Sequence, residues 1–341
     1  MAYTTINKSA DYFNTKLYTG NGSTQSITGV GFQPDWLWIK ERGDASSHAV
    51  MDSVRGANKK IMTNATDVES TETQYITSFD SDGFSIGQNN GINQSGIDTV
   101  AWNWKANGSG STNYDGSITS TVSANTTAGF SIVTYTGTGA NATVGHGLGV
   151  APAFYIIKSR NNAYDWRCYH KSLGNGKYID LTSTAAAATN SNAWNNTSPT
   201  STVFSLSTGS TPNASGGTFV AYCFAEKTGY SKFGSYKGNG NANGSFIYTG
   251  FKPAFIILKV SSDINDWTMF DTKRPGYNVT NQALLPNLNN AESTDHNIDI
   301  LSNGFKIRDN DGTVNANDHT HIYMAFGQSL VGSNNVPCTA R

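Results

Sequence analysis

Charged side chains are scarce in this sequence. Asp, Glu, Lys and Arg make up 14% of its 341 residues, against about 25% in ordinary soluble domains. The 23 basic and 24 acidic residues leave a formal net charge of -1, which gives no electrostatic footprint for nucleic acid or an anionic membrane. Glutamate occurs only at Glu41, Glu69, Glu72, Glu226 and Glu292. A strand-borne pair of carboxylates of the kind a glycosidase needs is not evident. The three cysteines, Cys168, Cys223 and Cys338, are widely spaced and form no C-x-x-C, which argues against a disulfide framework or a structural zinc. The N-terminus lacks a basic stretch followed by an apolar run, so a secretory signal is not expected. Apolar runs such as Ala254 to Leu258 are strand-length and too short to span a bilayer. No P-loop, no H-E-x-x-H and no nucleophile elbow is expected. These absences point to a non-enzymatic chain without cofactor, folded in a reducing compartment.

The polar share is carried by Asn, Ser, Thr and 35 Gly, residues that suit tight turns and disfavour helices. The 16 Tyr, 16 Phe and 7 Trp are too many apolar anchors for a disordered coil.

Three signatures recur in the same order. The first is Y-x-G-x-G at Tyr18, Tyr135 and Tyr236. The second is G-[FV]-x-P followed by an apolar strand ending in lysine: Pro34 to Lys40, Pro152 to Lys158, Pro253 to Lys259. The tyrosine precedes the proline by 16, 17 and 17 residues. The third signature starts 14 residues after each proline and runs His48 to Asp52, Trp166 to His170 and Trp267 to Asp271. Phe-led strands follow at Phe84, Phe204 and Phe305. Then Asn93, Asn213 and Asn315 each stand 11 residues before an aromatic, namely Trp104, Phe224 and Phe326. Spacings held this closely mark internal duplication. Pro34, Pro152 and Pro253 read as strand starts, since proline fixes φ and cannot donate to a ladder. The lysines are expected where those strands leave the core. Trp102 and Trp104 are expected to divide between the core and an outward or neighbouring face.

The expected fold is all-β, with three tandem β-sandwich or jelly-roll (lectin-like) repeats of about 100 residues each. Residues 1–11 form an N-terminal arm and 12–106 the first repeat. A Gly/Ser/Asn linker at 107–113 reads as a flexible joint. Repeats two and three cover 114–227 and 228–328, coupled to each other, and 329–341 form a tail. Both end segments are candidates for docking to neighbours. A short helix or turn is expected near Leu181 to Thr189, and near Thr63 to Glu69.

Candidate sites are few. Trp194, flanked by Asn192 and Asn195 in a polar loop, fits either a stacking site for a sugar or protein, or a loop anchor folded onto its own domain. Asp309 and Asp311 resemble the start of a calcium loop, but the later ligands are missing and a plain turn is the competing reading. His319 and His321 share a strand face and have no third metal ligand. Asp52 and Asp271 are equivalent, with His170 at the matching place in the second repeat.

The string from Tyr18 to Ile27, the strand from Phe32 to Lys40 and Asp52-Ser-Val-Arg55-Gly56 resemble a repeat-containing family of bacteriophage virion structural proteins. Ser81 to Phe84, Val100 to Trp104 and Ile322 to Phe326 extend that resemblance over nearly the whole chain. The family is tail-fibre-like and common in marine phages and cyanophages. It implies a protein of the virion exterior, assembled in host cytoplasm. Expected partners are copies of itself, with a trimer as the expected state, other tail or capsid proteins, and a host-surface glycan or receptor. Nucleic acid and membrane insertion are not expected.

Overall fold

In the computed structural model, which describes residues 4–275 and 277–329, the chain is all-β and built from antiparallel sheets, none closed into a barrel. There are three large sheets. The first runs in spatial order Phe13–Thr19, Asp98–Trp104, Trp36–Glu41, Ala49–Asp52, Gly56–Met62, Ser70–Thr71. The second contains Phe130–Thr136, Thr218–Phe224, Phe154–Ser159 and Arg167–His170 in that order, with further strands at each edge. The third runs Ser231–Lys237, Thr320–Ser329, Phe251–Val260, Trp267–Asp271. Each large sheet is overlaid by a small one: Gln25–Thr28 with Gly83–Ile86 and Ile76–Asp80; Ala142–Gly145 with Val203–Leu206; and Phe246–Tyr248 with Gly304–Ile307 and Ile298–Leu301.

The proline-led strands are apolar on both faces because both faces are covered. Leu37 and Ile39 pack under the first small sheet with Phe84. Tyr155 and Ile157 pack likewise with Phe204, and Ile256 and Leu258 with Phe305. The alternate residues, Trp36, Trp38, Phe154, Ile156, Phe255 and Ile257, enter one further cluster that all three large sheets share. At its middle, Phe326 lies 5.8 Å from both Trp104 and Phe224 by ring centroid. Each pairs with the residue two beyond its proline: Trp36 with Trp104, Phe154 with Phe224, Phe255 with Phe326. Trp102 and Trp104 both point into this shared core. The expectation that they divide between faces fails because residues two apart on a strand face the same way.

The Tyr, Gly and Asn signatures form one device. Asn93, Asn213 and Asn315 are fully buried. The Asn93 side chain accepts from Asn21 N (3.0 Å) and donates to Ser23 O and Gly87 O (2.6 and 2.8 Å). Asn213 and Asn315 repeat this with Thr138 N and Asn239 N, and with two carbonyls each. The tyrosine hydroxyls donate to the nearby carbonyls of Ile92, Pro212 and Val314. Gly20, Gly137 and Gly238 lie so close to the neighbouring backbone that a Cβ would strike a carbonyl oxygen. The asparagine thus fastens the glycine turn to the small-sheet loop. Asn315→Ala strips the buried Asp309 O and the part-buried Asn239 N and Asn241 O of their partner, and we expect a loss of about 1–3 kcal/mol in urea unfolding, with no change in circular dichroism of the folded state.

Several local expectations are corrected. The stretch 107–113 is not a flexible joint. Gly108 N donates to Asp35 (3.1 Å), Asn107 N donates to Ser123 Oγ (2.8 Å), and Ser111–Asn113 is a strand of the second large sheet. Of the helix or turn expected near Leu181 to Thr189 and Thr63 to Glu69, a turn forms, at 181–182 and 63–64, and no helix; the segments then cross to the adjoining large sheet, where Thr184 O and Thr66 O receive lysine ammoniums. Of the N-terminal arm, Ile6 is buried in the shared core, and Ser9 bonds Gln328. The described part of the arm is therefore spent on its own chain. Residues 330–341 of the tail lie outside the described residues. Pro34 and Pro152 precede their strands, whereas Pro253 lies inside Phe251–Val260, beside a register shift. Lys40, Lys158 and Lys259 do not emerge from the core. They are fully buried, and desolvation pulls each down to about 8. Carbonyl oxygens surround each ammonium, such as Thr66 O and Tyr164 O around Lys158 at 2.8 and 2.7 Å.

Candidate functional site

Trp194 is fully buried, packed edge-on to Tyr155 at 5.0 Å, and its Nε1 donates to Lys177 O (2.9 Å). It is the loop anchor and cannot stack on a ligand. A one-turn helix, Ser191–Trp194, explains the misleading sequence. Asn190 caps it and Asn195 leaves it in the left-handed region, so the polar residues, Asn192 and Asn195 included, stay outside while the indole turns in. Asp309 accepts from Asn297 N and Asp311 N, and Asp311 caps a short helix at Thr313 N (2.7 Å). Both are turn residues, with backbone amides engaging both Asp309 oxygens and Asp311 Oδ1. Among the described residues no group of three or more His, Cys, Asp or Glu gathers as a metal site. His319 meets Ser262, while His321 is buried and stacked on Tyr236 at 4.8 Å.

One string, Gly83-Phe-Ser85-Ile-Gly87, does fit G-x-S-x-G, against expectation. Ser85 lies in a strand, bonded to Asp80 (2.8 Å) and Ser26 (2.9 Å). The strand-to-helix turn that exposes a nucleophile is missing there.

Two fully buried acids, Asp52 and Asp271, serve contacts between large sheets. Asp52 accepts from Tyr222 OH of the second sheet (2.7 Å) and pairs with Arg55, both side chains being fully buried. Arg55 also meets Glu69, which pairs with Arg160 of the second sheet (2.9 Å). The third sheet repeats the set against the first: Asp271 accepts from Trp102 Nε1 (3.0 Å) and pairs with Arg274, which meets Glu292, itself paired with Arg42 (2.8 Å). Backbone bonds at 2.8 Å place the matching positions between the second and third sheets: Glu69 N to Arg160 O, Glu292 N to Arg42 O, Ala187 N to Ser261 O. There, every member of the set is changed. His170 stands for the aspartate, Leu173 for the first arginine, Ala187 for the glutamate, Ser261 for the second arginine, and Met324 for the aromatic donor. His170 Nδ1 accepts from Ser172 N (3.1 Å), as Asp52 and Asp271 accept from Val54 N and Lys273 N. That fixes its proton on Nε2, which donates to Tyr323 O (3.2 Å). A buried carboxylate there would keep the Ser172 amide but face Met324 and Leu173 in place of an aromatic donor and an arginine, so the neutral ring replaces it.

An open groove lies where the second and third sheets adjoin. Two hollows of about 320 and 140 Å³ share Glu226. Glu226 Oε1 accepts from Phe233 N (3.0 Å) and Lys171 Nζ (2.6 Å), which holds the carboxylate in place. Lys171 and Lys227 line one hollow, Lys232 and Tyr248 the other. Three lysines face one glutamate, and Glu226 is the sole carboxylate among the lining residues. Burial pulls Lys227 below the ordinary lysine range. Tyr248 is half exposed (55%) because Ile247, which pairs with Phe305, takes the inward direction of a short edge strand. The outward positions matching Phe246 and Tyr248 in the other small sheets are Ser26 and Thr28, and Thr143 and Gly145. Aromatics occupy this place on the third small sheet alone. The groove was not visible in the sequence because its residues come from separate strands and loops.

A family model described as Domain of unknown function (DUF7483) matches residues 8–329. The chain belongs to that family, and the match runs through all three large sheets. No curated protein matches it. No helix among the described residues is long and apolar enough to cross a membrane.

Proposed function

We propose that the chain is a non-enzymatic structural protein of a bacteriophage virion, carried on the particle exterior as a tail-fibre or receptor-binding part. Its body is three tandem β-sandwich repeats of jelly-roll, lectin-like type, at 12–106, 114–227 and 228–328. The observation that carries this reading is where the ionisable groups go. The Asp52–Arg55–Glu69–Arg160 and Asp271–Arg274–Glu292–Arg42 sets join one sheet to the next, and the groove at Glu226 has no second carboxylate for acid–base work. The motif resemblance supplies the virion. The strand order shared by the three large sheets, and the Tyr, Gly and Asn device in each, support the tandem arrangement.

The large sheets contact one another in a cycle, first to second, second to third and third to first. One chain thus completes its own three-part body, and a trimer would place such bodies side by side on a virion axis. The cycle also favours a knob or cap over a shaft, which supports a second reading: a decoration or head-fibre protein of the capsid. Purified protein is expected to compete with phage for adsorption to host cells, and antibody to the protein to block infection. No competition and no neutralisation would remove the receptor-binding role. Release of reducing sugar from host capsule would overturn the non-enzymatic one.

A further inference from the structure

The geometry points to the groove around Glu226 and Tyr248 as a binding site for a carboxylated saccharide, which names the ligand class for the adhesion role proposed above and rests on it. Three features of the groove converge. The first is the exposed ring of Tyr248, at a place where the other two small sheets carry Thr28 and Gly145. An exposed phenol ring offers the C–H face of a pyranose a stacking surface, with its hydroxyl toward water.

The second is the fixed carboxylate. Glu226 is held through Oε1 by Phe233 N and Lys171, so its other oxygen can accept from sugar hydroxyls without being reoriented. The third is charge. Lys171, Lys227 and Lys232 line hollows that contain one acid, a local excess of two positive charges on a chain whose formal net charge is -1. Lys171 is already paired with Glu226; a neutral sugar would leave Lys227 and Lys232 without a counter-charge, whereas a sugar carboxylate pairs with them. A nucleic acid is also anionic, but a formal net charge of -1 gives no electrostatic footprint for a phosphate backbone. The two hollows, about 320 and 140 Å³, meet at Glu226, which fits a short oligosaccharide laid across both.

The test is calorimetric titration of the full chain with trigalacturonate, sialyllactose and a hyaluronan hexasaccharide. Fully methyl-esterified trigalacturonate, lactose and a short single-stranded oligonucleotide serve as comparators. At least one carboxylated sugar should bind, about tenfold or more tighter than its neutral counterpart, and more weakly in high salt. Tyr248→Ala and Lys232→Glu should each weaken that binding about tenfold at an unchanged melting temperature, while Phe246→Ala, on the same strand but outside the hollows, should not. Binding of none of the acidic sugars at millimolar concentration would overturn the proposal. So would equal binding of the neutral forms, tighter binding of the oligonucleotide, or indifference to both groove variants. If the chain competes for host cells yet binds no acidic sugar, the ligand class fails and the adhesion role stands. If it binds the sugar but does not compete, the site stands and the role fails.

Discussion

Arg55→Leu alone is expected to destabilise the chain by about 3–5 kcal/mol, and Arg55→Leu combined with Asp52→His, Glu69→Ala, Arg160→Ser and Tyr222→Met is expected to cost less than the single change. The single variant leaves Asp52 buried beside Tyr222 without its guanidinium, and leaves Glu69 with Arg160 alone. An uncompensated buried charge is among the most costly defects a core can carry. The combined variant copies the arrangement between the second and third sheets, where His170, Leu173, Ala187, Ser261 and Met324 already stand together. Buried ion pairs are often replaceable by well-packed neutral groups at little cost, provided all members go at once. Urea unfolding of both variants checks this. A combined variant less stable than Arg55→Leu would show that the charged set holds the first two sheets together in a way the neutral set does not.

Acid should unfold the chain through its histidines before its carboxylates titrate. His48, His146, His170 and His321 are buried, and burial lowers all four, with His170 and His321 brought down to about 4. The unfolded chain takes up protons as pH falls below about 6.5, while the folded chain stays neutral at His170 and His321 until about pH 4. Stability is therefore full above the unfolded value and is lost as pH falls through that window. A drop from 6.5 to about 4 at His170 corresponds to about 3 kcal/mol. Glu69 adds a smaller loss at lower pH, since Arg160 and Arg55 outweigh its burial and hold it below the usual carboxylate range. Urea midpoints should fall steadily from pH 7 to pH 4.5. His170→Gln keeps a donor and an acceptor but cannot titrate, and should flatten that slope. A midpoint independent of pH over the window would contradict the assignment.

Much of the local construction was legible in the sequence. The interval from Asn93, Asn213 and Asn315 to the next aromatic is a strand plus its lead-in, and the tyrosine and glycine positions mark the turn that the asparagine fastens. What the sequence did not reveal was the partner of the second apolar face. Trp36 and Trp38 alternate with Leu37 and Ile39, and only the folded chain shows that the tryptophans meet the other two large sheets. Trp194 misled because its neighbours are polar, yet a left-handed residue at Asn195 lets the chain turn the indole inward. The groove joins Glu226 to Tyr248 across two sheets, so no local pattern announces it. The one available sign was the change from Ser26 and Thr28 to Phe246 and Tyr248 at matching places.

The proposed virion role is tested most directly by looking for the protein on intact phage particles. Gold-labelled antibody and cryo-electron microscopy of purified particles are predicted to place it on the outer surface, at the tail for the receptor-binding role or on the capsid for decoration. Particles that carry none of the chain would contradict the account.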